Sequence, residues 1–161
     1  MNESPLPESP HREAPIFEYR TQRRVEFSHT DMAGIVHFSR YFIYMESVEH
    51  EFLRHLGTSV SFQLDGRDAG WPRLAASCEY RSPARFEDIL DIHLRVLRKG
   101  RRAMTYGFVF RVGDRLVAEG KISAACCFFD GPDGLEAIPI PEELSRRLAE
   151  APREVAPVGE R

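Results

Sequence analysis

Residues 39–57, SRYFIYMESVEHEFLRHLG, decide the fold. Tyr41, Tyr44, Met45, Val48, Phe52 and Leu56 recur three or four apart, while Glu46, Glu49, His50 and Arg54 face elsewhere, which is the period of an amphipathic helix and not of a strand. The spacing predicts a helix of roughly five turns from about residue 39 to about residue 56. Ser39 is placed to cap its start, and Gly57 to end it in the left-handed conformation that most side chains resist. The first turns, YFIYM, are apolar nearly all round, so other protein should enclose that end.

Upstream, apolar or small residues at 17, 19, 21, 25 and 27 alternate with Glu18, Arg20, Gln22, Arg24 and Glu26. This two-residue period marks a half-buried strand, with Arg23 interrupting its apolar face. Between strand and helix, SHTDMAGIVHF has no clean period and holds Gly34, as an ordered loop would. Downstream, a polar link containing Gly66 and Gly70 leads into four strand patterns, at 73–80, 90–97, 104–112 and 116–129. The last is small and apolar on both faces, the mark of a central or interface strand. A short helix is expected from about 141 to about 149. Strands that follow one another without intervening helices exclude a doubly wound parallel sheet, so the expected class is α+β, one antiparallel sheet packed on one long helix.

The 161 residues, 42% hydrophobic, suffice for one core, expected over residues 16–150. Residues 1–15 hold four prolines and few large apolar groups, and residues 151–161 look similar, so both are expected to be flexible tails. A formal net charge of -3 gives no global field for nucleic acid or an anionic membrane. No apolar run approaches the length of about 18 residues that spans a bilayer. The three cysteines, Cys78, Cys126 and Cys127, read as buried free thiols, and the first residues lack the apolar stretch of a signal peptide, so the cytoplasm is the expected location.

HTDMAGIVHFSRYFIYMESVEHEFLRHLG at 29–57 and CEYRSPARFEDILDI at 78–92, with AEG and IPIPEEL further on, resemble the hotdog-fold acyl-CoA thioesterases of the 4-hydroxybenzoyl-CoA thioesterase type. The likeness runs from about residue 24 to about residue 148. It implies a helix wrapped by an antiparallel sheet, a homodimer or homotetramer whose sheets join edge to edge, and active sites at subunit boundaries. It implies Asp31 as nucleophile or general base and the backbone N–H near Phe38 as oxyanion donor. It requires no metal and no cofactor, coenzyme A being part of the substrate.

Physical chemistry supports the assignment independently. A thioester carbonyl becomes an oxyanion when attacked, and unpaired N–H groups at a helix N-terminus are preformed donors backed by the helix dipole. Asp31 lies seven or eight residues before the helix, across a loop whose Gly34 allows the chain to fold back. An Asp in such a loop also makes Asx turns, which is the structural alternative. His37 is a candidate to orient water or substrate, or else a structural histidine. Phe38 has no polar side chain, so only its backbone can serve. Glu46 and Glu49 are the next candidate bases, although an ion-paired or solvated role fits both better. Arg98, Lys99, Arg101 and Arg102, in the turn RKGRR, suit the phosphates of coenzyme A. Ser77 belongs to the strand resembling the wall of the acyl pocket, and Tyr41 to the aromatic helix start that would meet ring or chain.

Two other classes fit part of the pattern. His29-x-Asp31 is the beginning of a two-histidine, one-carboxylate oxygenase site, though the remaining histidines lack the matching spacing. A non-catalytic acyl-CoA-binding hotdog module would share fold and basic turn. No DNA-binding helix pair is visible.

Overall fold

The computed structural model describes residues 14–153. The tail expectation for residues 1–13 and 154–161 lies outside the described residues. Ala151 N–H donates to Val96 O at 2.8 Å, so sheet-bonded chain continues one residue past the expected boundary.

The long helix, α1, spans Arg40–His55 and buries the predicted stripe together with Leu53. Gly57 takes φ +77° and donates its N–H to Arg54 O, closing the last turn as expected. Ser39 stands at the cap position, but its own backbone is helical and its side chain makes no cap hydrogen bond. The hydroxyl is occupied by His37.

Five strands form the larger sheet: β1 (Glu18–Arg24), β4 (Arg73–Tyr80), β5 (Ile89–Lys99), β6 (Ala103–Val112) and β7 (Arg115–Ala125), in the order β1-β5-β6-β7-β4 with every pair antiparallel. The single sheet of the sequence reading needs correction, because four shorter strands build a second one. These are β2 (Ser61–Leu64), β3 (Arg67–Gly70), β8 (Cys127–Gly131) and β9 (Gly134–Ala137), in the order β2-β3-β8-β9. The polar link containing Gly66 and Gly70 is therefore itself a hairpin, turned at Asp65-Gly66, both with positive φ, as a two-residue hairpin turn demands. The apolar run 116–129 is two strands. At Cys126, whose N–H donates to Arg102 O and whose O accepts from Ile138 N–H, the chain leaves one sheet for the other. The terminal helix, α2, is Glu142–Arg147.

The inner face of the large sheet carries Leu90, Ile92, Leu94, Val96, Tyr106, Phe108 and Phe110, all buried against α1. Gly120 on β7 is where the helix comes closest: a Cβ there would overlap Met45 Sδ and meet Ser77 O at 3.2 Å. Arg23 breaks the apolar face of β1 because it reaches Glu51 on α1 at 2.5 Å, where Tyr19 and Thr21 also donate. Glu49, expected to face away from the core, is instead fully buried and paired with Arg73 of β4. The two ends of the described chain meet where Ile16 forms a parallel bridge with Leu148. β4 is an edge strand that pairs only with β7 and leaves Leu74 and Tyr80 exposed.

Candidate active site

The loop between β1 and α1 begins with a 3-10 turn, Phe27–His29, and closes on itself before the helix starts. Its neck is the bridge between Thr30 and Val36 and the bond from His37 N–H to His29 O at 2.9 Å. Its tip is a tight turn: Asp31 N–H donates to Ile35 O, and Gly34, at φ +71°, donates to Asp31 O. Asp31 is exposed, and its Oδ1 accepts from Ala33 N–H at 2.8 Å. One carboxylate oxygen thus makes the Asx turn that the sequence allowed. Among the described residues the other oxygen accepts nothing.

At the loop's far end lies the helix start. His37 Nδ1 contacts Ser39 Oγ at 2.8 Å and lies 3.4 Å from Ser39 N–H, which makes Nδ1 an acceptor and leaves the ring proton on Nε2. The Phe38 side chain is 61% exposed. Its carbonyl accepts from Tyr80 Oη at 3.0 Å, and among the described residues its N–H has no acceptor. The loop that carries the exposed Asp31 carboxylate thus leads directly into the helix start, where Tyr80 of the edge strand holds the Phe38 carbonyl.

Other expected site residues divide. Arg98, near the end of β5, and Arg101 and Arg102, in the β5–β6 turn, are exposed and available to an anion. Lys99 is not: its Nζ donates to Ser145 O and Leu148 O, both at 2.9 Å, capping the end of α2. Tyr41 is 3% exposed and packs edge-on against Tyr44, Tyr80 and Phe110, so it is core rather than a free contact surface. Its own chain covers Tyr41, Tyr44 and Met45 of the apolar helix start, while Ile43 stays 49% exposed. Ser77 lies exposed on β4 opposite Lys121. Burial pushes the Cys78 thiol up to about 11 and that of Cys126 to about 12, which suppresses thiolate nucleophiles.

Two site neighbours escaped the sequence reading. His29 was considered only as a metal ligand, yet its Nδ1 is taken by Glu26 N–H at 3.1 Å and Tyr44 Oη at 2.8 Å. Tyr80 stood in the CEY triplet with nothing in its spacing to tie it to residue 38.

Comparison with known proteins bears on the family and the fold. The thioesterase superfamily profile matches residues 33–119. A protein of Aquifex aeolicus (strain VF5), provisionally named an esterase, is 35% identical over 130 residues, covering 80% of this chain and 94% of its own. The solved structure of a gentisyl-coenzyme A thioesterase is 28% identical with a TM-score of 0.69, covering 79% of this chain and 99% of that one. A 1,4-dihydroxy-2-naphthoyl-CoA thioesterase from Synechocystis, 19% identical over 81% of this chain and 95% of its own, shares the fold with a TM-score of 0.73. A long helix held by antiparallel strands and a profile match over more than half the residues lead to one assignment: this chain belongs to the thioesterase superfamily and has its α+β hotdog arrangement.

Proposed function

We propose that the protein hydrolyses an acyl-CoA thioester to the free acid and coenzyme A, with Asp31 as general base or nucleophile and the helix start as oxyanion donor. What supports this reading is that, on one loop, Asp31 is exposed with one carboxylate oxygen unengaged and, seven residues on at the start of α1, the Phe38 N–H has no acceptor among the described residues. As a base, Asp31 takes a proton from water while the resulting hydroxide bonds to the thioester carbon. The carbonyl oxygen gains the negative charge and is met by the amide hydrogen, an interaction worth about 3 kcal/mol in a known hydrolase. Collapse breaks the C–S bond, and the departing thiolate recovers the proton from Asp31. As a nucleophile, the carboxylate would bond to the thioester carbon and expel coenzyme A thiolate, leaving an acyl anhydride that water cleaves to the free acid and the regenerated carboxylate, the proton released by water going to the thiolate.

Arg98, Arg101 and Arg102 are assigned to the coenzyme A phosphates, and Ser77 to the acyl wall. His37, with its proton on Nε2, is assigned to orienting water or substrate. The free edge of β4 and its exposed Leu74 and Tyr80 support self-association through that edge, as a homodimer or as a tetramer of two such pairs. Three free cysteines suit a reducing compartment, and among the described residues no helix is long and apolar enough to cross a membrane.

The test is a panel of acyl-CoA esters, including hydroxylated aromatic ones of the kind named for the two thioesterase structures, with free-thiol detection. Asp31→Asn should lower turnover by about 10²–10⁴-fold while leaving the fold intact. Equal turnover by wild type and variant would remove Asp31 from the chemistry and move attention to Glu46. Tight binding of every ester without any release of thiol would favour the non-catalytic module.

A further inference from the structure

His29 links three pieces of the site. It closes the 3-10 turn, accepting Glu26 N–H at Nδ1. Its carbonyl accepts His37 N–H at the loop neck. The same Nδ1 meets Tyr44 Oη, and the two rings stand edge to face with centroids 5.4 Å apart. Tyr44 is itself buried one turn into α1, against Tyr41 and Phe110. Because a backbone N–H can only donate, Nδ1 must be an acceptor, so Tyr44 donates too and the ring proton sits on Nε2.

We infer that His29 is the positioning residue of this site: as a neutral imidazole it fastens the Asp31 loop to α1 and so sets where the carboxylate stands relative to the amide hydrogens of the helix start. Its effect on rate rests on the hydrolase reading; the fastening itself does not. Asp31 is only two residues beyond His29, and the loop neck runs through the His29 carbonyl, so a ring that lets go releases both strands of the loop. A protonated ring would place a hydrogen against Glu26 N–H, which cannot reorient, although the Tyr44 hydroxyl can. The charged groups facing the ring are Glu26 before the 3-10 turn and Arg40 on α1, whose guanidinium also donates to Ser28 O. Burial, with help from Arg40 and against Glu26, holds the ring below the usual imidazole range, which keeps the acceptor form at neutral pH.

The experiment compares wild type, His29→Ala, His29→Asn and Tyr44→Phe by hydrogen exchange and by turnover across pH 5 to 8. His29→Ala and Tyr44→Phe should speed amide exchange over residues 30–37 about tenfold or more, with β5, β6 and β7 unchanged, and should lower kcat with little change in KM. His29→Asn, which returns an acceptor oxygen but no titrating ring, should recover part of the protection and weaken the acid limb of the pH profile. Loop exchange equal to wild type in His29→Ala, or in Tyr44→Phe should the alanine variant not fold, overturns the inference. Faster loop exchange in a protein whose wild type cleaves no acyl-CoA ester would leave the positioning role standing and reject the hydrolase reading alone.

Discussion

Glu49, enclosed in the middle of α1, is neutralised by the guanidinium of Arg73 at the start of β4, Nη1 to Oε2 at 2.6 Å. Burial raises the Glu49 carboxyl above its ordinary range, and Arg73 pulls it back. A buried carboxylate stripped of its partner is costly, whereas a protonated one is tolerated.

Arg73→Met should therefore cost about 3 kcal/mol at pH 7.5. A group whose folded pKa is raised stabilises most below its unfolded value and loses that contribution as pH rises through the folded value. The deficit should accordingly shrink toward pH 5, as Glu49 takes up a proton. Urea unfolding of wild type and variant at both pH values measures it.

Gly120 admits α1 to the sheet, and a methyl group there would collide with Met45. Gly120→Ala should lower stability by about 1–3 kcal/mol. Since Met45 Sδ is the obstacle, the cost should largely disappear in a Met45→Ala background, a coupling that a thermal-unfolding double-mutant cycle reads directly.

The basic turn should separate into two kinds of residue. Replacing Arg98, Arg101 and Arg102 together with Gln removes about 0.5 kcal/mol each of exposed charge pairing, which predicts a KM roughly tenfold higher, kcat nearly unchanged and a weaker salt dependence. Lys99→Met should leave KM alone and destabilise the protein by about 1–2 kcal/mol, because two carbonyls at the end of α2 lose their donor.

On the outer face of β5, His93 is buried with Nε2 2.6 Å from Glu18 Oε2. Burial lowers its pKa below the usual 6.5, against the contrary pull of Glu18. The unfolded chain then binds the proton more readily, so stability should fall as pH drops below about 6.5. His93→Gln, which keeps a donor toward Glu18 without a titrating ring, should show a shallower decline between pH 6.5 and pH 5 in chemical denaturation.

Long elements were legible in the sequence because their patterns repeat. α1 shows several turns of one period, and β1, β4, β5 and β6 alternate over seven residues or more. The second sheet was not legible, since strands of four residues such as Ser61–Leu64 are too short to display a period. The division at Cys126 was hidden because a run apolar on both faces reads the same on either side of a break. Glu49 fell outside the apolar stripe, and only tertiary structure could reveal that Arg73 covers it. Asp31 stands out only through the residues around it, and of the two readings of an aspartate before a helix the structure displays the Asx turn, which engages one oxygen and leaves the other without a partner among the described residues. Lys99 and Tyr41 were judged by residue type, which says nothing about whether a side chain is already occupied by its own fold.

The bridge between Ile16 and Leu148, reinforced by Ile16 N–H to Arg147 O and Ala149 N–H to Ile16 O, lays the first and last described segments side by side. A chain cut back to residues 14–153 is topologically suited to circular permutation: its two described ends can be spliced by a short linker and new ones opened at the Gly113-Asp114 turn, far along the chain from the Asp31 loop, without unthreading any strand.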